Sequence, residues 1–167
     1  MKNLVKMLKD FYLNDSQLVY LYSGFYDNHG LLKYIPDSDF IWLTYSNIPN
    51  LTMLATDKQL YYYYDYSDTW IDHKDINLFA QEYNLKYLNF QKLRMMISKY
   101  NQIFTLKQVD PSIDFKKNRN DQDISLYCHQ KRCIKSKEEI NNIYQACDYT
   151  CHAILYTLKL FKNNNYQ

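Results

Sequence analysis

Hydrophobic positions recur along the chain with two different periods. In residues 3–12 the apolar side chains lie three and four positions apart, which predicts a short amphipathic helix. The next stretch, QLVYLYSG, is almost continuously apolar and predicts a strand that ends at Gly24. Residues 26–38 contain Gly30 and Pro36, and this punctuation predicts a loop.

Three strands are predicted between residues 39 and 66. DFIWLTY, residues 39–45, is continuously apolar and predicts a strand that is buried on both faces. LTMLATDKQLYYYYDY, residues 51–66, predicts two strands that meet in a tight turn around Asp57 and Lys58. These strands are rich in the aromatic residues that sheets favour.

The pattern then alternates between helix and strand. In DHKDINLFAQEYN one helical face carries Ile76, Phe79, Ala80 and Tyr83. LKYLNF predicts a short strand, QKLRMMISKYN a helix, and QIFTLKQVD a strand that stops at Pro111. The polar segment DPSIDFKKNRNDQD predicts a surface connection. This alternation predicts an α/β fold with a mixed sheet flanked by helices.

The most clearly defined helix lies at the C-terminal end. Ser136 and Glu139 have the spacing of a capping box, in which each side chain bonds the other residue's backbone N–H. An apolar stripe follows at helical spacing. It comprises Ile140, Ile143, Cys147, Thr150, Ile154 and Leu158, with Tyr144, Cys151 and Leu155 beside them. We therefore predict one long amphipathic helix at the end of the chain.

The composition of the chain argues against several classes of protein. The chain has 167 residues, of which 47% are hydrophobic, so one domain with a real core is expected. Its two glycines cannot form a dinucleotide fingerprint or a phosphate loop, because both need several glycines at fixed offsets. A net charge of +2 does not indicate a nucleic-acid or membrane partner. No signal peptide is recognisable, so we expect a cytoplasmic protein with reduced cysteines.

Two groups of residues are candidate metal sites. The cysteines Cys128, Cys133, Cys147 and Cys151 have the spacing C-x4-C-x13-C-x3-C, which is not a standard zinc pattern even with histidines nearby. Cys147 and Cys151 fall on the apolar stripe, which favours packing in a core.

The second group is Asp72, His73 and Asp75 in WIDHKD, which suits a metal or an acid–base pair. Here we favour a carboxylate that caps the next helix and a solvated histidine. The run YYYYDY suits base stacking, but the balanced charge favours an ordinary strand. The residues alone therefore indicate no catalytic site and no metal ligand.

Two segments together resemble the N-terminal domain of the aminopeptidase P, prolidase and creatinase family of pita-bread metallopeptidases. Residues 37–68 are similar to that domain's Asp-Ser-x-Phe strand with aromatic-Leu-Thr, followed by a proline-containing loop and two strands. RCIKSKEEINNIYQACDYTCHA, residues 132–153, is similar to the junction pattern R-x-x-K-x-x-x-E-[IL] and the long helix after it. The junction residues are Arg132, Lys135, Ser136, Glu139 and Ile140. The chain departs from the family at Tyr45, where glycine is usual, so the resemblance does not define the loop that follows.

The resemblance implies two parts of the chain. Residues 1–131 would be the N-terminal-like domain, and residues 132–167 the junction and first helix of a catalytic domain that is otherwise absent from this sequence. In the family, two divalent ions, commonly manganese, are bound by two Asp, one His and two Glu of that catalytic domain. The sequence stops before these positions. We therefore expect no cofactor in this chain, and the junction residues are structural.

The implied function is that of a non-catalytic accessory domain. Such a domain limits access to short proline-containing peptides and contributes to oligomer contacts, with a catalytic domain or a second copy as its partner. The alternative is a non-enzymatic interaction module that binds a partner through the apolar helix face. A third hypothesis, single-stranded nucleic-acid binding through the tyrosine strand, is disfavoured by the charge.

Overall fold

The computed structural model divides into two compact units, Met1–His129 and Gln130–Gln167. The assignment of residues 132–167 to the start of a catalytic domain stays a prediction. The structure describes residues 2–27, 33–66, 73–107, 109–110, 113 and 121–163.

Strands and helices alternate through most of the described residues. In chain order the elements are α1 (Lys2–Phe11), β1 (Gln17–Tyr22), β2 (Gly24–Asp27), β3 (Lys33–Pro36), α2 (Ser38–Thr44), β4 (Thr52–Ala55), β5 (Leu60–Tyr63), α3 (His73–Glu82), β6 (Lys86–Tyr87), α4 (Phe90–Lys99), β7 (Gln102–Thr105), β8 (Gln122–Asp123), α5 (Ser125–Cys133) and α6 (Lys137–Asn163).

A six-stranded sheet with the order β6-β5-β4-β1-β7-β8 forms the centre of the first unit. The strand β1 pairs antiparallel with β4, placing Val19 opposite Ala55, and parallel with β7, placing Val19 opposite Phe104. The strands β2 and β3 form a separate antiparallel pair. The predicted α/β fold, with a mixed sheet flanked by helices and a long final helix, is confirmed.

Both faces of the sheet are covered, and β1 shows this most clearly. Val19 and Leu21 point into one hydrophobic cluster, which includes Leu4 and Met7 of α1 and Phe40 of α2. The intervening β1 residues belong to a second cluster with α4, because successive strand residues point to opposite faces. That second cluster includes Leu18, Tyr20, Tyr22, Leu93, Ile97 and Ile103. A central strand buried on both sides explains why QLVYLY is continuously apolar.

The prediction of a strand at residues 39–45 is wrong, because this segment forms α2. The carboxylate of Asp37 caps the helix by accepting bonds from the N–H groups of Asp39 (2.8 Å) and Phe40 (3.0 Å). Phe40, Leu43 and Thr44 are buried, which is the three-and-four spacing of one helical face. The local cap outweighs the strand propensity of the apolar run.

Tyr45 ends α2 in the left-handed region, with φ 58° and ψ 22°. Its N–H donates to the carbonyl of Ile41 at 2.7 Å, closing the last turn. Glycine is the residue best suited to this conformation, because a Cβ atom is unfavourable there. The chain therefore uses a tyrosine where the resembling family usually has glycine, in a conformation that glycine adopts freely.

Two further differences from the predictions lie in polar segments. The expected loop at 26–38 includes strand residues of the β2–β3 pair, with Asp27 opposite Lys33. Residues 122–133, expected to begin in a surface connection, contain β8 and α5, and Cys128 of α5 is buried in the first hydrophobic cluster. Periodicity over such short elements is too brief to distinguish strand or helix from loop. The remaining predicted elements, from α1 to β7, are present near their expected positions.

None of the helices in the described residues is both long enough and apolar enough to cross a membrane.

Candidate interaction surface

The helix α6 begins with the predicted capping box, which the structure confirms. The N–H of Ser136 donates to Oε2 of Glu139 at 2.7 Å, and the N–H of Glu139 donates to Oγ of Ser136 at 3.1 Å. The backbone N–H of Ser136 first, and then its hydroxyl, stabilise the Glu139 carboxylate and lower its pKa below the usual range. Glu138 and Glu139 also lie at the positive end of the helix dipole. The start of α6 is therefore specified by local chemistry.

The apolar stripe of α6 is exposed to solvent. Its large side chains keep between 43% (Ile140) and 72% (Tyr144) of their surface accessible. With about 100° of rotation per residue, the stripe forms one face along the helix, which is roughly 40 Å long for 27 residues. We call this face the α6 stripe. It comprises Ile140, Ile143, Tyr144, Cys147, Cys151, Ile154, Leu155 and Leu158.

The α6 stripe contains no charged side chain. Thr150, at its margin, donates its hydroxyl to the carbonyl of Ala146 at 2.8 Å, so its polar group is already bonded within the helix. Thr157 bonds the carbonyl of Ala153 in the same way. Monomeric proteins seldom expose an apolar face of this length, and such faces mark sites of contact with other proteins.

The predicted junction residues lie at the end of α5, in the connection that follows, and at the start of α6. Arg132 lies in the last turn of α5, and Lys135 lies in the connection between the helices. Ile140 is the first large residue of the α6 stripe, and its N–H bonds the carbonyl of Ser136 at 3.0 Å. The geometry of these residues is that of a helix start, and a junction to a catalytic domain stays a prediction.

The cysteines do not form a metal site in the part of the chain that is described. Cys128 is buried, whereas Cys133, Cys147 and Cys151 are exposed. Burial of Cys147 and Cys151 in a core, as their stripe position suggested, is therefore not found in this chain. Within the described ranges, no three His, Cys, Asp or Glu side chains come together in a way that could hold a metal ion.

One buried acid was missed by the sequence reading. Asp39 Oδ2 lies 3.2 Å from Nε2 of His129, and the Asp39 side chain is only 6% exposed. The two residues are far apart in sequence, on α2 and α5, and the strand assigned to residues 39–45 gave no reason to bring them together. The pair connects α2 to the part of α5 that belongs to the first unit.

The other candidates have structural surroundings. Asp72 lies outside the described residues. His73 opens α3 and contacts the Tyr66 ring edge-on, with centroids 5.2 Å apart, so it is packed as well as partly solvated. The first three tyrosines of the run lie in β5, as the strand interpretation predicted, with Tyr62 in one cluster and Tyr61 and Tyr63 against the other.

The chain resembles known proteins in its three-dimensional structure but not detectably in its sequence. No family model matches the sequence, and no curated protein sequence matches it. Among solved structures, the prolidase of Pyrococcus furiosus superposes with a TM-score of 0.58 and 15% identity, over 95% of this chain and 45% of that chain. The Escherichia coli aminopeptidase P in its low-pH form superposes with a TM-score of 0.59 and 14% identity, over 84% of this chain and 40% of that chain. Pseudomonas aeruginosa aminopeptidase PepP matches with a TM-score of 0.56 and 12% identity, over 84% and 40%.

These matches define the class of fold. The chain has an α/β fold shared with aminopeptidase P and prolidase structures, and the resemblance noted in the sequence is confirmed at this level. At identities of 12–15% the likeness is one of fold and not of activity. The chain spans less than half the length of each of these three proteins.

Proposed function

We propose that this chain acts as a non-catalytic accessory domain of an Xaa-Pro aminopeptidase-like or prolidase-like metallopeptidase. The observation that carries this proposal is the fold match, which covers most of this chain but at most 45% of the three matched structures. In this role the first unit would limit access to short proline-containing peptides and contribute oligomer contacts.

The chemistry of the α6 stripe indicates a partner with an apolar, uncharged surface. It is long, apolar and free of charge, which suits burial against a catalytic domain of the matched class. Packing against such a domain would remove the exposed isoleucine and leucine side chains from water, at about 25 cal/mol per Å² of apolar surface. Cys147 and Cys151 would then have the buried setting that their stripe position suggests.

The described residues do not form a binding site for a pair of metal ions. A pair of manganese ions needs several carboxylate and histidine ligands within bonding distance of one another. The described residues contain no group of three such side chains, so they do not fit this cofactor.

A second candidate function is a protein-interaction module without any peptidase partner. The exposure of the α6 stripe also supports this candidate, because a binding helix needs only its apolar face. The coding DNA downstream of the Gln167 codon and in neighbouring genes distinguishes the two functions. An accessory domain predicts a reading frame there with the two Asp, one His and two Glu ligands, and an interaction module does not.

The proposal is tested directly by a peptidase assay on the purified 167-residue chain. The chain is incubated with manganese and an Xaa-Pro peptide, and release of the N-terminal residue is followed. We expect no release above a blank that contains manganese alone. Turnover that co-purifies with the chain would contradict a non-catalytic role.

A further inference from the structure

A pocket of about 510 Å³ lies between α3 and the β6 edge of the sheet, inside the first unit. Its floor is apolar, because Tyr62, Ala80 and Leu85 are buried. Its rim is polar and exposed. The rim consists of Asn77, Gln81, Asn84 and Tyr87. An apolar floor with a few convergent polar groups is typical of a ligand site. We call it the aromatic–amide pocket.

The lining residues of the aromatic–amide pocket include no Asp, Glu, Lys, Arg or His. The side-chain amides of its rim have N–H donors that are not used in bonds to other described residues. Asn77 uses its oxygen to accept a bond from the hydroxyl of Tyr66 at 3.2 Å, which leaves its NH2 group to donate elsewhere. Gln81 and Asn84 have no side-chain hydrogen bond to other described residues. The backbone of Asn84 is already satisfied, since its carbonyl accepts from Nε2 of Gln59 at 3.0 Å.

The three amides follow one another along α3 and just beyond its end. Asn77 and Gln81 are four positions apart on α3, so they share one side of the helix and are about 6 Å apart along its axis. Asn84 lies beyond the end of α3 in the left-handed region, with φ 51°, and lines the same pocket. A polyproline II segment repeats every three residues, or about 9 Å, and its carbonyls on one side recur at that interval. A row of donors that continues past the end of α3 suits an extended ligand better than a single base or sugar ring.

The aromatic wall of the pocket is held in place by its neighbours. The ring of Tyr87 packs against Tyr62 at 5.5 Å and Tyr66 at 5.7 Å between centroids. The hydroxyls of Tyr62 and Tyr66 lie 3.1 Å apart, within hydrogen-bonding distance. Tyr87 nevertheless keeps 49% of its surface exposed, so part of its ring can contact a ligand. Proline rings pack well against such preformed aromatic surfaces.

We propose that the aromatic–amide pocket binds an uncharged peptide segment in the polyproline II conformation. The amides of Gln81 and Asn84 donate to peptide carbonyls, and proline rings lie against Tyr87. Proline fits because it offers a carbonyl acceptor and no N–H that would need a partner. A nucleic acid fits poorly, because the pocket offers no cation to its phosphates. The pocket lies wholly in the first unit, so the proposal does not depend on α6 or on a peptidase role.

The test is a titration of ¹⁵N-labelled protein with nonaproline that is acetylated and amidated to remove its charges. We expect saturable shifts of the side-chain NH2 signals of Gln81 and Asn84. Gln81→Glu replaces a donor with a charged acceptor facing peptide carbonyls, and should weaken binding about tenfold. Gln81→Met removes the donor without adding charge, and should weaken binding about fivefold. Gln91→Glu makes the same change on exposed α4 outside the pocket and should leave the affinity unchanged.

Several results would overturn the proposal. These are the absence of saturation at millimolar nonaproline, equal affinity of the Gln81→Glu and Gln91→Glu proteins, or equal affinity of the Gln81→Met and unaltered proteins. A neutral oligosaccharide or a single-stranded oligonucleotide that shifts the same signals, while nonaproline does not, would assign the pocket to another ligand class. Peptidase activity of the chain would contradict the proposed accessory role but would leave this binding result unaffected.

Discussion

Tyr45 adopts the left-handed backbone conformation that glycine adopts most easily. A non-glycine residue in the left-handed region costs about 1–2 kcal/mol. The side chain is 63% exposed, and its hydroxyl accepts a bond from Nδ2 of Asn3 at 3.1 Å. One bond at an exposed position offsets little of this cost, because water competes for both groups.

We therefore expect Tyr45→Gly to raise the free energy of unfolding by about 0.5–1 kcal/mol, after the entropy lost by glycine is included. Urea denaturation of the whole chain measures this difference. Tyr45→Ala is the matched control, because it removes the ring and the Asn3 bond but keeps Cβ. If the alanine protein is as stable as the glycine protein, the backbone at Tyr45 is not the cause.

At the scale of an element, α6 was readable from the sequence because its signals are local and agree with one another. Ser136 and Glu139 have the capping-box spacing, and the apolar stripe from Ile140 to Leu158 keeps one period over about five turns of helix. The α2 segment shows the opposite case. Its apolar run at 39–45 suited a strand, and the bonds that the N–H groups of Asp39 and Phe40 donate to the Asp37 carboxylate explain why a helix begins there.

The capping box also has a pH dependence whose sign follows from the lowered pKa of Glu139. A carboxyl whose pKa falls on folding stabilises the folded helix above its unfolded pKa, near 4.5, and loses this contribution as the pH falls through the folded pKa. The Ser136 amide signal should therefore titrate below pH 4.5 in an NMR experiment on the whole chain.

Ser136→Ala removes the hydroxyl that stabilises the Glu139 carboxylate and keeps the backbone donor, so the midpoint should move part of the way back towards 4.5. The same substitution should cost α6 about 1 kcal/mol of helix stability. In Glu139→Gln the amide at Ser136 should show no titration in this range. A midpoint that stays the same after Ser136→Ala would show that the side-chain bond does not contribute.

At the scale of the whole molecule, the sequence predicted the α/β class, the mixed sheet and the final helix, because these depend on long stretches of consistent periodicity. It did not predict the contact of Asp39 with His129 or the aromatic–amide pocket, which join residues from separate elements. Tyr62 and Tyr87 belong to different strands, and only the parallel pairing of β5 with β6 makes them neighbours. Such sites depend on register, which composition and spacing do not reveal.

Both proposed functions require the α6 stripe to be a docking face for a partner. A chain that exposes this face should associate with itself in solution, since burial of the stripe is favourable whichever surface covers it. Ile154→Glu places a charge on the stripe and should abolish the association. Gln145→Glu places the same charge on exposed α6 surface away from the stripe, and should leave it intact.

Sedimentation velocity over a range of protein concentrations is the most direct measurement of this claim. We predict that the unaltered chain and Gln145→Glu sediment faster as the concentration rises, whereas Ile154→Glu remains a monomer. An unaltered chain that stays monomeric throughout, and sediments like Ile154→Glu, would contradict a docking role for the α6 stripe.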